Sequence, residues 1–376
     1  MTPTRVLFRV DASQVLASGH TMRCLTLAQA LAANGVVCRF ACRALEGNMV
    51  EHIRSAGFDV ATLPCPPAGS PQGVDPRLGV SEADDARDTV VALAGWRPNW
   101  IIVDHYALAQ VWETEMHAQC DQLMAIDDYT DRPHACDVLL NQNLGVSADD
   151  YALGLLPEGC KVVAGTDYAL LRPEFARARP QALKRRQEHT TSGHILVTMG
   201  GVDPNNMTGQ VLAILASCQL PESWHVTAVM GGQAPHLAMV RAQAATQPFK
   251  VRLIVNTTEM ERLMTEADFA IGAAGSTSWE RCALGLPSIV LVLADNQIPL
   301  ARALVDAGAA LGAEPSDPAT LRAAITRLVG DRSLRIAMAA IAATLVDGHG
   351  TGRVVEVMNR LHTTSSERLH NGRPHL

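Results

Sequence analysis

Aromatic residues are scarce in this sequence: Phe, Tyr and Trp make up 4% of it. A core short of rings and rich in Ala and Leu suits helices packed on buried parallel strands. Positive charge is also scarce, with a formal net charge of −7. That excludes nucleic-acid binding through a broad basic surface, but not a small anionic ligand held by backbone N–H groups. No run approaches the roughly 18 apolar residues of a membrane helix. The start, "MTPTRVLFRV", has no long apolar stretch after a basic patch, so neither export nor membrane insertion is expected and the protein reads as cytoplasmic. The nine cysteines contain no CxxC pair and read as reduced, buried thiols. The thirteen histidines lack HxxxH and HExxH spacing. "HAC" (134–136) resembles a fragment of a metal site but has no companion in sequence, so no metal is expected. There is no GxGxxG after the first strand, no Walker GK[ST], and no placeable Ser-His-Asp or Cys-His signature; no cofactor is implied.

What is present is alternation. At 376 residues, 48% hydrophobic and 18% charged, the chain reads as two globular domains. Strand-like runs are "RVLFRV" (5–10), "VVCRFAC" (36–42), "WIIVDHY" (100–106), "LMAIDD" (123–128) and "DVLLN" (137–141). Residues 21–33 place Leu25, Ala28 and Leu31 on one helical face, and "NG" (34–35) ends that helix. A second helix over about 47–56 stops at Gly57. A second series runs through "HILVTMGG" (194–201), "HVTAVMGG" (225–232), "VRLIV" (251–255), "DFAIGAAG" (268–275) and "SIVLVLA" (288–294). The fold class is α/β, with two tandem doubly wound, Rossmann-like domains. The expected boundaries are 1–175 for the first domain, 176–193 for a basic, polar linker, 194–362 for the second domain and 363–376 for a mobile tail. Residues 64–81, rich in Pro and Gly, form a surface loop. Ligands of such folds bind at strand carboxyl ends, which places the site in the cleft between the domains and its chemistry in the turns after strands.

Four stretches meet that rule. In "SGHTMR" (18–23), His20 follows Gly19 where a loop enters a helix. The positive end of a helix disfavours imidazolium, so a histidine there can accept a proton from water; equally, His20 can simply cap or pack the helix start. Asp11 in the same loop and Arg23 one turn on are candidate substrate contacts. In "DHY" (104–106), Asp104 or His105 can support a catalytic group and Tyr106 can reach a ligand, unless this is an ordinary polar strand end. "DDY" (127–129) is similar, with turn capping the stronger reading. The glycine turns Gly200–Gly201 and Gly231–Gly232 follow strands, and "AAGSTSWERCALGLP" (273–287) couples Gly275, Ser276 and Thr277 to a helix start. Such turns suit a diphosphate, with Glu280 one turn later able to accept from a ribose diol; the alternative for Ser276 and Thr277 is N-capping. In "LADNQIP", Asn296 and Gln297 again follow a strand, or form an Asx turn. The pair Asp84–Asp85 reads as a solvated helix face.

In this order and spacing the motifs "GHTMRCLTLAQAL", "IIVDHYAL", "IDDYTDRPHACDVLLNQN", "LLRPEF", "MGGVDPNN" and "GAAGSTSWERCALGLP" followed by "NQ" resemble the PseG-type UDP-sugar hydrolases of pseudaminic acid biosynthesis. These UDP-2,4-diacetamido-2,4,6-trideoxy-β-L-altropyranose hydrolases are related to nucleotide-sugar glycosyltransferases of the MurG kind. The resemblance implies a GT-B-like fold and hydrolysis of a small-molecule UDP-sugar at the anomeric carbon, inverting and metal-independent. It implies His20 as general base, Tyr106 and Asn296 as active-site residues, and Gly200, Gly201, Ser276, Thr277 and Glu280 as nucleotide contacts. One departure stands out: the family's loop reads like "IGTGH", whereas this chain has "LASGH", with Ala17 at the place of a glycine. An alanine forced to positive φ there would be strained. A GT-B glycosyltransferase, a UDP-sugar 2-epimerase and a noncatalytic nucleotide-sugar sensor are the alternatives.

Overall fold

In the computed structural model, residues 3–13, 16, 18–66, 73–188 and 192–371 are described, their side chains as far as His362. Ala17 and part of the 64–81 loop fall outside them, as do residues 372–376 of the expected tail. The chain divides into two compact units: residues up to Leu170 together with those from His349 onward, and Leu171–Gly348.

The first unit runs β1 (Arg5–Val10), α1 (Gly19–Ala32), β2 (Val37–Arg43), α2 (Val50–Ser55), β3 (Asp59–Leu63), α3 (Glu82–Leu93), β4 (Trp100–Asp104), α4 (Gln110–Met116), β5 (Gln122–Ile126), β6 (Val138–Asn141) and β7 (Lys161–Ala164). Its seven strands lie in the order β3-β2-β1-β4-β5-β6-β7, every pair parallel. β4 is buried at every residue, as a central strand covered on both faces must be. On α1 the predicted face, Leu25, Ala28 and Leu31, is buried in the core. Gly35, at φ 81°, closes that helix by donating to Ala32 O.

The second unit runs α5 (Pro173–Gln187), β8 (Gly193–Thr198), α6 (Met207–Ala216), β9 (Trp224–Met230), α7 (Leu237–Ala244), β10 (Lys250–Val255), α8 (Met260–Glu266), β11 (Phe269–Ala273), α9 (Thr277–Ala283), β12 (Ser288–Leu291), α10 (Ile298–Asp306), β13 (Ala310–Ala313), α11 (Pro318–Gly330) and α12 (Arg332–Leu345). Its sheet order is β10-β9-β8-β11-β12-β13, again all parallel. Gly193 is required where β8 passes Trp224: a Cβ there would lie 2.0 Å from the indole.

Two expectations about boundaries differ from the structure. The stretch read as a linker is α5, because several of its arginines turn onto neighbouring helices: Arg179 donates to Ala283 O at 2.6 Å and Ala343 O at 2.6 Å, and Arg186 to Met264 O at 2.7 Å. They satisfy carbonyls at the ends of other helices. The last helix, α13 (Gly350–Asn371), joins the first unit rather than closing the second, and continues through residues read as a mobile tail. Val354, Val355, Val357 and Met358 are part of the core that α1 and β1 build. Among the described residues, no helix is long and apolar enough to cross a membrane.

Candidate active site

In each sheet the strand order reverses at one place, between β1 and β4 and between β8 and β11. Loops diverge there at the strand carboxyl ends and leave a crevice for ligands. Most candidate residues gather at these two places, while Asn296 and Gln297 follow the neighbouring β12.

In the first unit Ser18 occupies the N-cap position of α1 without a side-chain cap bond, and His20 sits in the first turn. His20 does not cap the helix. Its Nδ1 lies 2.6 Å from Asp104 Oδ1, at the end of β4. Arg23, one turn on, grips the same carboxylate, Nε to Oδ2 at 2.6 Å and Nη2 to Oδ1 at 2.8 Å. Its Nη1 reaches Asp128 at 3.0 Å. Tyr106 donates its hydroxyl to Asp128 Oδ2 at 2.7 Å and stands edge-on to His20, ring centroids 4.4 Å apart. Burial opposes ionisation of Asp104, yet Arg23 and then His20 hold it well below the usual carboxylate range. An ionised Asp104 accepts from Nδ1, so a neutral His20 carries its lone pair on Nε2.

Behind this group lies a second set of charges. Asp11 is buried and receives Arg9 at 2.7 Å and 2.8 Å and the Arg43 amide at 2.7 Å. Those bonds tie it to the interior rather than to a ligand. Asp85, read as solvated, is fully buried. It accepts from Arg9 at 2.6 Å, Arg43 at 2.6 Å and Trp112 Nε1 at 3.0 Å. A one-turn window cannot show that α3 turns Asp85 inward onto two arginines from neighbouring strands. His105 is buried too, its Nδ1 accepting from the Ala107 amide at 3.1 Å; burial pulls it down to about 4 and keeps it neutral.

The "HAC" fragment does find a companion. Donor atoms of Glu113, His134 and Cys136 lie within 4.8 Å of one another. Both ring nitrogens of His134 are already engaged by carboxylates, Nδ1 with Glu113 at 2.7 Å and Nε2 with Asp127 at 2.9 Å. Against the opposing effect of burial these bonds raise His134 to about 9, so the arrangement is a buried ion-pair bridge. Asp127 also accepts from the Tyr129 amide at 3.3 Å, the turn-capping role expected for "DDY". Its neighbour Asp128 is the one that joins the His20 group.

In the second unit Gly200, at φ 88°, makes the turn after β8. Gly231 donates to Gly201 O at 3.1 Å, and a Cβ on Gly231 would come within 2.2 Å of that oxygen, so the two glycine turns touch. Asp203 then caps α6, accepting from Met207 N at 2.8 Å and Thr208 N at 2.9 Å. After β11, Ser276 holds the N-cap position of α9 without a side-chain cap bond. Ser276, Thr277 and Gly275 are partly accessible. Glu280 lies in the first turn of α9; burial pushes its carboxyl up to about 7 against Arg172 and Arg281. Asn296 is exposed in the turn after β12, and Gln297 Oε1 accepts from Leu293 N at 2.9 Å, fixing that turn.

Aligned with the crystal structure of Acinetobacter baumannii MurG, the chain gives a TM-score of 0.69 at 16% identity, over 95% of its length and 100% of MurG. The chain has a GT-B-like fold. Residues 194–349 of this GT-B-like chain match the glycosyltransferase family 28 C-terminal domain, a span that takes in Gly200, Gly201, Gly275, Ser276, Thr277, Glu280, Asn296 and Gln297. The spore coat polysaccharide biosynthesis protein SpsG of Bacillus subtilis (strain 168) is 30% identical over 231 residues, 60% of this chain and 65% of SpsG. The UDP-2,4-diacetamido-2,4,6-trideoxy-β-L-altropyranose hydrolase of Campylobacter jejuni is 25% identical over 273 residues, 72% of this chain and 85% of that enzyme. The resemblance read from the motifs is thus carried by a relative over most of the GT-B-like chain.

Two residues of the site escaped the sequence reading. Arg172 belongs to a quoted motif, "LLRPEF", yet its proximity to Glu280 depends on α5 packing in the second unit. Asp128 was hidden by its neighbour Asp127, since two adjacent acids look alike until one is seen to turn inward.

Proposed function

We propose that this protein hydrolyses a UDP-linked 2,4-diacetamido-2,4,6-trideoxy sugar, the altropyranose, at its anomeric carbon, releasing UDP and the free sugar with inversion and without a metal. The observation that carries the reading is the 2.6 Å contact between His20 Nδ1 and Asp104 at the first sheet's switch point. Nε2 takes a proton from a water as that water attacks the anomeric carbon opposite UDP. The new C–O bond forms as the bond to the diphosphate breaks, and the pair of electrons leaves with UDP. Asp104 keeps the ring oriented and stabilises the imidazolium that forms. Tyr106, edge-on to His20, and Asn296 orient sugar or water; Arg23 holds Asp104 and Asp128 in place. The turns after β8 and β11 take the diphosphate, whose growing charge meets fixed backbone N–H groups and hydroxyls, and Glu280 takes the ribose diol. Support also comes from the hydrolase relative and from the family 28 match.

That match favours a second reading, transfer of the sugar to an acceptor hydroxyl. The two separate in one experiment. The protein is incubated with UDP-2,4-diacetamido-2,4,6-trideoxy-β-L-altropyranose and EDTA, with no acceptor, and the anomeric signal is followed by NMR. Prompt release of UDP and the inverted free sugar is the expected result. Tight UDP binding without release would favour a transferase or a nucleotide-sugar sensor. His20→Ala should lower turnover by about 10²–10⁴ and leave UDP affinity intact; wild-type turnover in that variant would remove His20 as the base.

A further inference from the structure

Arg281 lies on α9 beneath the turn that follows β11, and it is fully buried. Its Nη2 donates to Ala273 O at 2.9 Å and to Ser278 Oγ at 2.8 Å, the two ends of that turn. Among the described residues its Nε and Nη1 have no hydrogen-bond partner. A Cβ on Gly272 would stand 2.4 Å from Nη1 and 2.8 Å from Thr198 O, so only a glycine lets the guanidinium lie against the ends of β8 and β11. Burial pulls Arg281 down to about 10, and the carboxylate that counters it is Glu280, itself pushed up to about 7 by burial. At neutral pH the guanidinium therefore stays charged beside an acid whose ionisation burial disfavours.

A buried cation with unmet donors is costly, and such groups are ordinarily paired. Here the missing counter-charge has an obvious place to arrive, the turn directly above. We propose that Arg281 is a positioning residue that makes this turn selective for a nucleoside diphosphate over the bare nucleoside. It does so by fixing both ends of the turn and by leaving a positive charge uncompensated in a low-dielectric interior, where its field reaches an anion it does not touch. The inference rests on the reading of the second unit as the UDP-binding half.

The test compares uridine and UDP by titration calorimetry on the wild-type protein, Arg281→Lys and Arg281→Met. Measured well above pH 7, where Glu280 is ionised with or without its neighbour, the methionine variant should lose about tenfold or more in UDP affinity, with uridine affinity within about twofold. The lysine variant should keep most of the preference. An unchanged UDP-to-uridine ratio in Arg281→Met, or equal loss of both ligands, would overturn the proposal. A measurement free of any folding defect uses the wild-type protein alone. Buried charge is little screened, so raising salt from about 0.05 M to about 0.5 M should leave the ratio within about threefold; a steep fall would assign the selectivity to surface cations and overturn it. Wild-type protein that binds neither ligand would remove the UDP reading itself, an outcome distinct from a preserved ratio in Arg281→Met.

Discussion

Asp104 decides what His20 can do. An ionised carboxylate 2.6 Å from Nδ1 fixes one tautomer, and Arg23 keeps it ionised. Asp104→Asn replaces an acceptor with an amide that can present either end to the ring. Turnover should fall by about 10²-fold or more while UDP affinity stays at the wild-type level; near-normal turnover in this variant would show that the contact is only structural. At Glu280 the chemistry predicts a pH effect. Its carboxyl, raised to about 7 by burial and facing Arg172, Arg281 and Glu261, accepts from a ribose diol best when ionised. Uridine, which lacks a phosphate of its own to titrate, should bind more tightly as pH rises through about 7 and level off above it. Glu280→Gln should flatten that curve, and a wild-type curve already flat would take Glu280 out of the ribose role. His20 was legible because a Gly-His at a loop-to-helix junction is a local pattern. Its partner stands 84 positions away in sequence, and only the parallel pairing of β1 with β4 brings the two together.

Central strands were legible, whereas three of the four edge strands were not; the fourth edge, β10, was read from "VRLIV". β1, β4 and β8 are long apolar runs because both faces are covered. The missed strands, β3, β7 and β13, are all sheet edges. Their sequences "DVATL", "KVVA" and "ALGA" carry partly exposed positions, which dilutes the hydrophobic signal a strand normally gives. The same limit hid the His134 bridge, which ties α4 to the end of β5 through Glu113 and Asp127. With His134 raised to about 9 from 6.5, its stabilising contribution is complete below the unfolded value and is lost as pH rises through about 9. The loss amounts to about 3 kcal/mol. Melting temperature should drop between about pH 7 and pH 9.5 in the wild-type protein. His134→Ala should remove that slope and cost about 3–5 kcal/mol, since buried Glu113 loses its cation and Asp127 is left with Arg132 alone. A slope that survives in the variant would place its origin elsewhere.

At the scale of the whole chain, the first unit is discontinuous. Its core includes Val354, Val355, Val357 and Met358 of α13, residues that follow the entire second unit in sequence. A chain ending at Gly348 should leave the apolar surface of α1 uncovered, and proteolysis should then cut the first unit well before the second. Equal resistance of both units would show that α13 is dispensable. The same connection sets an order of events on the ribosome. Synthesis at about 5–20 residues per second takes roughly 10–35 s to pass from the end of β7 to the start of α13. For that interval the first unit waits, incomplete, with one side of its core open to chaperones and to its neighbours. An N-terminal unit made first is thus finished last, and a stalled or truncated message yields a first half without its closing helix.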